Sequence, residues 1–147
     1  MNIAVVFPGQ GSQSVGMLSE YTEDWPQIIE TFKEASDVLG YDLWDVVSNG
    51  PVEKLNQTEI TQPAMLAADI AVMRVMAEQC MLKPFVLAGH SLGEYTPPTR
   101  AGEIPLGDAV RLVRRRGGLT QAAGASRPGR MAPVPGPVAP HVPPGPA

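Results

Sequence analysis

Val86-Leu87-Ala88-Gly89-His90-Ser91-Leu92-Gly93-Glu94 sets the architecture of this chain. A short apolar run ends in Gly-x-Ser-x-Gly and a helical pattern opens behind it, which is the sequence form of a nucleophile elbow. Gly89 and Gly93, two residues either side of Ser91, leave room for neighbouring backbone. A strained turn can then hold the serine hydroxyl out into a cleft. The N–H of Leu92, at the helix start, points where an oxyanion would form.

Outward from the elbow, residues 2–7 (NIAVVF) read as a fully buried, parallel first strand. Residues 8–13 (PGQGSQ) follow as a tight loop whose glycines let backbone amides approach a ligand. The loop has neither Gly-x-Gly-x-x-Gly spacing nor a Walker lysine, which disfavours a phosphate cradle. Residues 24–39 have a helical period, with Asp24 as cap, Pro26 in the first turn, and Ile28, Phe32, Ala35 and Leu39 on one face. Gly40 stops that helix. A shorter helix over 42–48 turns Leu43, Val46 and Val47 inward, with Trp44 as packing, and 51–56 reads as a further helical turn. Thr61-Gln62-Pro63 opens the longest helix, which runs to Gln79 with Leu66, Ile70, Met73 and Ala77 on one stripe. Met65, Met73, Met76 and Met81 read as core filling. Lys83-Pro84 closes the segment, and 85–88 is the second strand.

Strand, helices, strand, elbow is an α/β order. Ligands of such sheets sit beyond the carboxyl ends of the strands, where both Gly-rich loops emerge, so Gln10 and Ser91 are expected to face each other. After the elbow, Pro97 and Pro98 predict a short or kinked helix. Residues 106–116 recover a stripe of Leu106, Ala109, Val110 and Val113, ended by Gly117-Gly118. Arg114-Arg115-Arg116 then reads as a solvated basic face at a helix C-terminus.

Composition bounds the rest. At 147 residues the chain is one domain or a piece of a larger one, and a net charge of −4 shows no bias towards nucleic acid. The one cysteine, Cys80, excludes an internal disulfide and reads as a buried or half-buried helix thiol in a reducing compartment. No run of about eighteen apolar residues suggests a membrane span. The first ten residues lack a signal-peptide pattern, so a cytoplasmic protein is expected. A break falls near Thr96. Eleven of sixteen prolines and seven of eight arginines follow it, whereas thirteen of fifteen acids precede it. Residues 1–127 are therefore taken as a partial domain and 128–147 as a Pro/Gly-rich disordered tail in which His141 is a bystander.

The stretches FPGQGSQSVGM (7–17), ASDVLGYDLWDVV (35–47), GPVEKLNQTEITQPAML (50–66), GHSLGEYT (89–96) and GDAVRLVRRRG (107–117) resemble the malonyl-CoA:acyl carrier protein transacylase family. The similarity is dense to Thr96 and patchy beyond. It implies an α/β-hydrolase-like acyltransferase core with parallel strands and a nucleophile elbow. It also implies that Ser91 takes malonyl from coenzyme A as an ester and passes it to the phosphopantetheine thiol of acyl carrier protein in fatty acid biosynthesis. Gln10 and Leu92 would supply oxyanion-hole amides and Arg116 would pair with the malonate carboxylate, while His90 is a structural imidazole. The expected enzyme is a cytoplasmic monomer without cofactor or metal, whose partners are malonyl-CoA and acyl carrier protein.

The departures carry expectations too. Family members run to about twice this length, and their catalytic histidine lies roughly a hundred residues after the serine, in a part this chain lacks. The core is thus expected to be incomplete, without the ferredoxin-like small subdomain, in a truncated or chimeric reading frame of little activity. The alternatives are a fragment of an acyltransferase module from a polyketide-type synthase and an inactive remnant.

Overall fold

The computed structural model describes residues 2–80 and 83–125. Strand β1 (Ala4–Phe7) lies parallel to β2 (Val86–Gly89), with Ala4 opposite Val86 and Phe7 opposite Gly89. Parallel strands need a long crossover. Here it holds α1 (Gln27–Leu39), α2 (Leu43–Asn49), α3 (Val52–Leu55) and α4 (Thr58–Gln79). A 3-10 turn over Ser91–Tyr95, α5 (Thr96–Ala101) and α6 (Leu106–Ala125) follow β2.

The core is helical. Helix α4 packs against both α1 and α6, and Ile28, Phe32, Ala35 and Leu39 are buried as the α1 stripe requires. Each large apolar side chain removed from water there contributes about 1.5–3 kcal/mol. Trp44 packs on Phe32, ring centroids 4.9 Å apart. Gly40 ends α1 at φ 77°, and the Asp42 side chain accepts the Asp45 N–H at the start of α2.

Several expectations are corrected. The first strand is not fully buried: of β1 only Phe7 is, and Val6 is 71% exposed and Phe85 75%. A strand run of this composition is covered only if further layers pack on it, and two strands among the described residues leave most of it open. Asp24 is not the cap of α1, which starts at Gln27 behind Pro26. Helix α4 begins at Thr58, one turn before the expected start, with Pro63 inside it. Burial of Ile60 and Thr61 carries that extra turn despite the missing proline N–H. The helix is also buried all round over most of 60–73 rather than along one stripe. By length and mean hydropathy it could cross a membrane, yet it lies packed as the core helix.

Pro97 and Pro98 fall in the first turn of α5, where amide donors have no intrahelical partner, so a short helix forms after the 3-10 turn. Helix α6 runs straight through Gly117-Gly118 to Ala125. Gly117 is a contact glycine and not a stop: a Cβ there would lie 2.5 Å from the Thr58 carbonyl oxygen. The basic triplet therefore sits in mid-helix. Arg114 donates to the Leu39 carbonyl at the end of α1 and covers the Tyr41 ring, while Arg115 is exposed. Cys80, at the end of α4 where that helix leaves the core, is exposed and not buried. Met81 and the segment containing His141 lie outside the described residues.

Candidate active site

The elbow begins with extended backbone at His90 (φ −115°, ψ 129°) and turns sharply at Ser91, whose φ is 56°. A non-glycine residue there carries strain of about 1–3 kcal/mol. Surrounding packing enforces it. A Cβ on Gly89 would meet the Gly93 carbonyl oxygen at 2.0 Å, and one on Gly93 would meet the Phe7 carbonyl oxygen at 2.4 Å. No side chain fits at either glycine, so the backbone closes tightly beneath the serine.

The first Gly-rich loop arrives at the same edge. A Cβ on Gly9 would sit 3.9 Å from the Ser91 Cβ and 3.6 Å from the His90 Nδ1. His90 thus lies beside the elbow against that loop. Gln10 follows immediately, and its Nε2 donates to the Thr58 hydroxyl at 3.3 Å, which ties the loop to the start of α4. The Gly11 N–H is taken by the Gln13 side chain at 2.8 Å, which leaves that amide unavailable as part of a phosphate cradle. Leu92 is buried, and its amide lies in the first turn of the 3-10 segment, where N–H groups have no partner within the helix.

Helix α6 brings Arg116 to the serine. Its Nη2 donates to the Ser91 Oγ at 3.0 Å, its Nη1 donates to the Gln62 Oε1 at 3.0 Å, and its guanidinium lies over the Tyr95 ring at 5.6 Å. The structure thus gathers Ser91, Leu92, Gly89, Gly93 and Arg116 in one place, with the Gln10 loop beside them. Among the described residues no group of three or more His, Cys, Asp or Glu could hold a metal ion.

Two partners escaped the sequence reading. Gln62 is 1% exposed, and an amide at the head of a mostly apolar helical run was its signal. Glu94 accepts the Ser91 N–H at 3.2 Å, and the spacing Ser-x-x-Glu was there to be seen.

A serine strained onto positive φ beyond the carboxyl end of a parallel strand, closed in by glycine-packed backbone and met by a fixed cation, defines an acyltransferase-type nucleophile elbow. The chain belongs to the acyl transferase domain family, which matches residues 4–139. It is 55% identical over 129 residues to a malonyl CoA-acyl carrier protein transacylase from Haemophilus influenzae, covering 87% of this chain and 41% of that protein. The crystal structure of an acyl carrier protein S-malonyltransferase from Vibrio cholerae superimposes with a TM-score of 0.81 at 54% identity, covering 84% of this chain and 40% of the other. A malonyl-transacylase in complex with a type II PKS acyl-carrier protein matches with a TM-score of 0.81 at 53% identity, again over 84% and 40%. The chain therefore spans about two fifths of the length of these relatives, and its α/β fold with parallel strands is an incomplete acyltransferase core.

Proposed function

We propose that this chain carries the nucleophile half of an acyl carrier protein S-malonyltransferase. Ser91 Oγ attacks the thioester carbonyl of malonyl-CoA, the carbon–sulfur bond breaks, and the coenzyme leaves as its thiol. The phosphopantetheine thiol of acyl carrier protein then attacks the serine ester and restores the hydroxyl. Backbone amides of Gln10 and Leu92 hold the oxyanion, a contribution of about 3–4 kcal/mol per donor in sites of this kind. Arg116 pairs with the malonate carboxylate, and an acyl group lacking one leaves that cation unmatched.

The single observation that carries this reading is the Arg116 guanidinium at hydrogen-bond distance from Ser91 Oγ. A carboxylate one methylene away from a thioester carbonyl would find its counter-charge beside the reacting oxygen. The relatives' names supply the acyl group and the carrier. Cytoplasmic location, a monomeric state and the absence of any cofactor belong to the same reading.

Deprotonation of Ser91 needs a base, and the Oγ contact seen here is to a donor that cannot accept a proton. Without a base at the Oγ, positioning and charge would support only slow acylation, short of the roughly 10²–10⁴-fold that a base adds. Incubation with radiolabelled malonyl-CoA tests the proposal. Ester-linked label on Ser91, absent from Ser91→Ala, is expected; label that survives in Ser91→Ala would refute it. Complete absence of label over hours would favour the inactive-remnant alternative.

A further inference from the structure

We propose that Gln62 is the positioning residue that fixes Arg116 and leaves its charge free for an acyl carboxylate. The inference rests on the reading of Arg116 given above. Three contacts hold this guanidinium: Gln62 Oε1, Ser91 Oγ and the Tyr95 ring face. Of its two hydrogen bonds, only that to Gln62 is independent of chemistry at the serine, and the ring face fixes no direction in its plane. When a malonyl thioester binds and Ser91 Oγ turns to its carbonyl carbon, Nη2 exchanges the hydroxyl for the acyl carboxylate. Nη1 stays on Gln62, which sits fully buried on α4, the core helix packed against α6. Since a guanidinium is planar and rigid, one held nitrogen fixes the direction of the others.

The neutral amide matters as much as its place. A buried Oε1 satisfies one N–H without cancelling the positive charge, so the site still requires an anion. A carboxylate at position 62 would satisfy the arginine internally and remove that requirement. Gln62 thus sets both the aim and the residual charge of the selectivity residue.

Two measurements on the full chain test this. In ¹⁵N-labelled protein, the Nη resonances of Arg116 report hindered guanidinium rotation; Gln62→Met, of similar volume but without an acceptor, should release it. In a Ser91→Ala background, where no acyl group is transferred, calorimetric titration with malonyl-CoA and acetyl-CoA should show the affinity ratio falling about tenfold in Gln62→Met. The ratio should approach unity in Gln62→Glu. Rotation that stays hindered in a folded Gln62→Met protein overturns the proposal, as does an unchanged ratio. If Gln62→Glu does not fold, Gln62→Met alone decides. Failure of the parent chain to distinguish the two thioesters, with rotation released by Gln62→Met, would overturn the malonyl reading and leave the positioning role supported.

Discussion

Arg116 reaches from the middle of α6 to place its Nη2 3.0 Å from the Ser91 Oγ, on an element separate from the elbow. The contact joins the two features that the proposed function requires, a raised hydroxyl and a fixed cation. Helix and elbow meet because Gly117, the next residue, lets α6 close onto the start of α4.

Arg116→Ala should therefore lower Ser91 labelling by malonyl-CoA about 10–100-fold, the range for losing a charge-assisted pair. Labelling by acetyl-CoA should change far less. Quantifying esterified Ser91 by mass spectrometry with both thioesters checks this, and equal losses with the two would remove the arginine from selectivity.

Neighbouring glycines should respond with opposite signs. Gly117→Ala forces a Cβ to 2.5 Å from the Thr58 carbonyl and should destabilise the fold by about 1–3 kcal/mol. At Gly118 the nearest atom is the Glu59 Oε2 at 4.0 Å, and alanine there should stabilise by up to about 1 kcal/mol through helix propensity. Urea denaturation of both variants decides it; a harmless Gly117→Ala would contradict the tight approach of α6 to α4.

Strain at Ser91 predicts a conflict between stability and the proposed chemistry. Ser91 holds φ 56°, which glycine adopts without penalty. Ser91→Gly should be more stable than Ser91→Ala by about 1 kcal/mol, while neither accepts an acyl group. Thermal melts of the pair would expose an error if alanine proved the more stable.

Asp69 should make stability depend on mildly acidic pH. Its carboxyl accepts the Thr96 hydroxyl at 2.9 Å, and burial lifts its pKa from 3.8 to about 6 against the opposing effect of that hydrogen bond. The folded chain thus keeps a proton that the unfolded chain has already lost. This contribution is complete below about pH 4 and is lost as pH rises through 6, a change of about 2–3 kcal/mol. Asp69→Asn keeps an acceptor for Thr96 and should stabilise the protein at pH 7.5 while being nearly neutral at pH 4. Denaturation midpoints at the two pH values provide the check, and a pH-independent difference would show that the carboxyl titrates normally.

The elbow was legible in sequence because its demands are local: Gly89 and Gly93 are required by backbone oxygens a few residues away or on the paired strand. The α1 stripe was legible because period alone assigns its inward face. What failed depended on distant neighbours. Burial of Val6 depends on what covers the sheet, which no feature of β1 encodes. Gly117 resembles a helix stop until Thr58 is placed beside it. Arg114, Arg115 and Arg116 look alike in a row, yet successive side chains on a helix diverge by about 100°. One therefore caps α1, one meets solvent and one reaches Ser91. Gln62 was passed over because its partner lies 54 residues away.

That divergence limits how this helix can evolve. Substitutions along α6 act at the position they change, but adding or deleting a residue between Leu106 and Arg116 would rotate everything downstream. The guanidinium that touches Ser91 would swing away, and Arg115 or Gly117 would take its bearing. Related chains should therefore vary in letters at the exposed positions of this segment and hardly at all in its length.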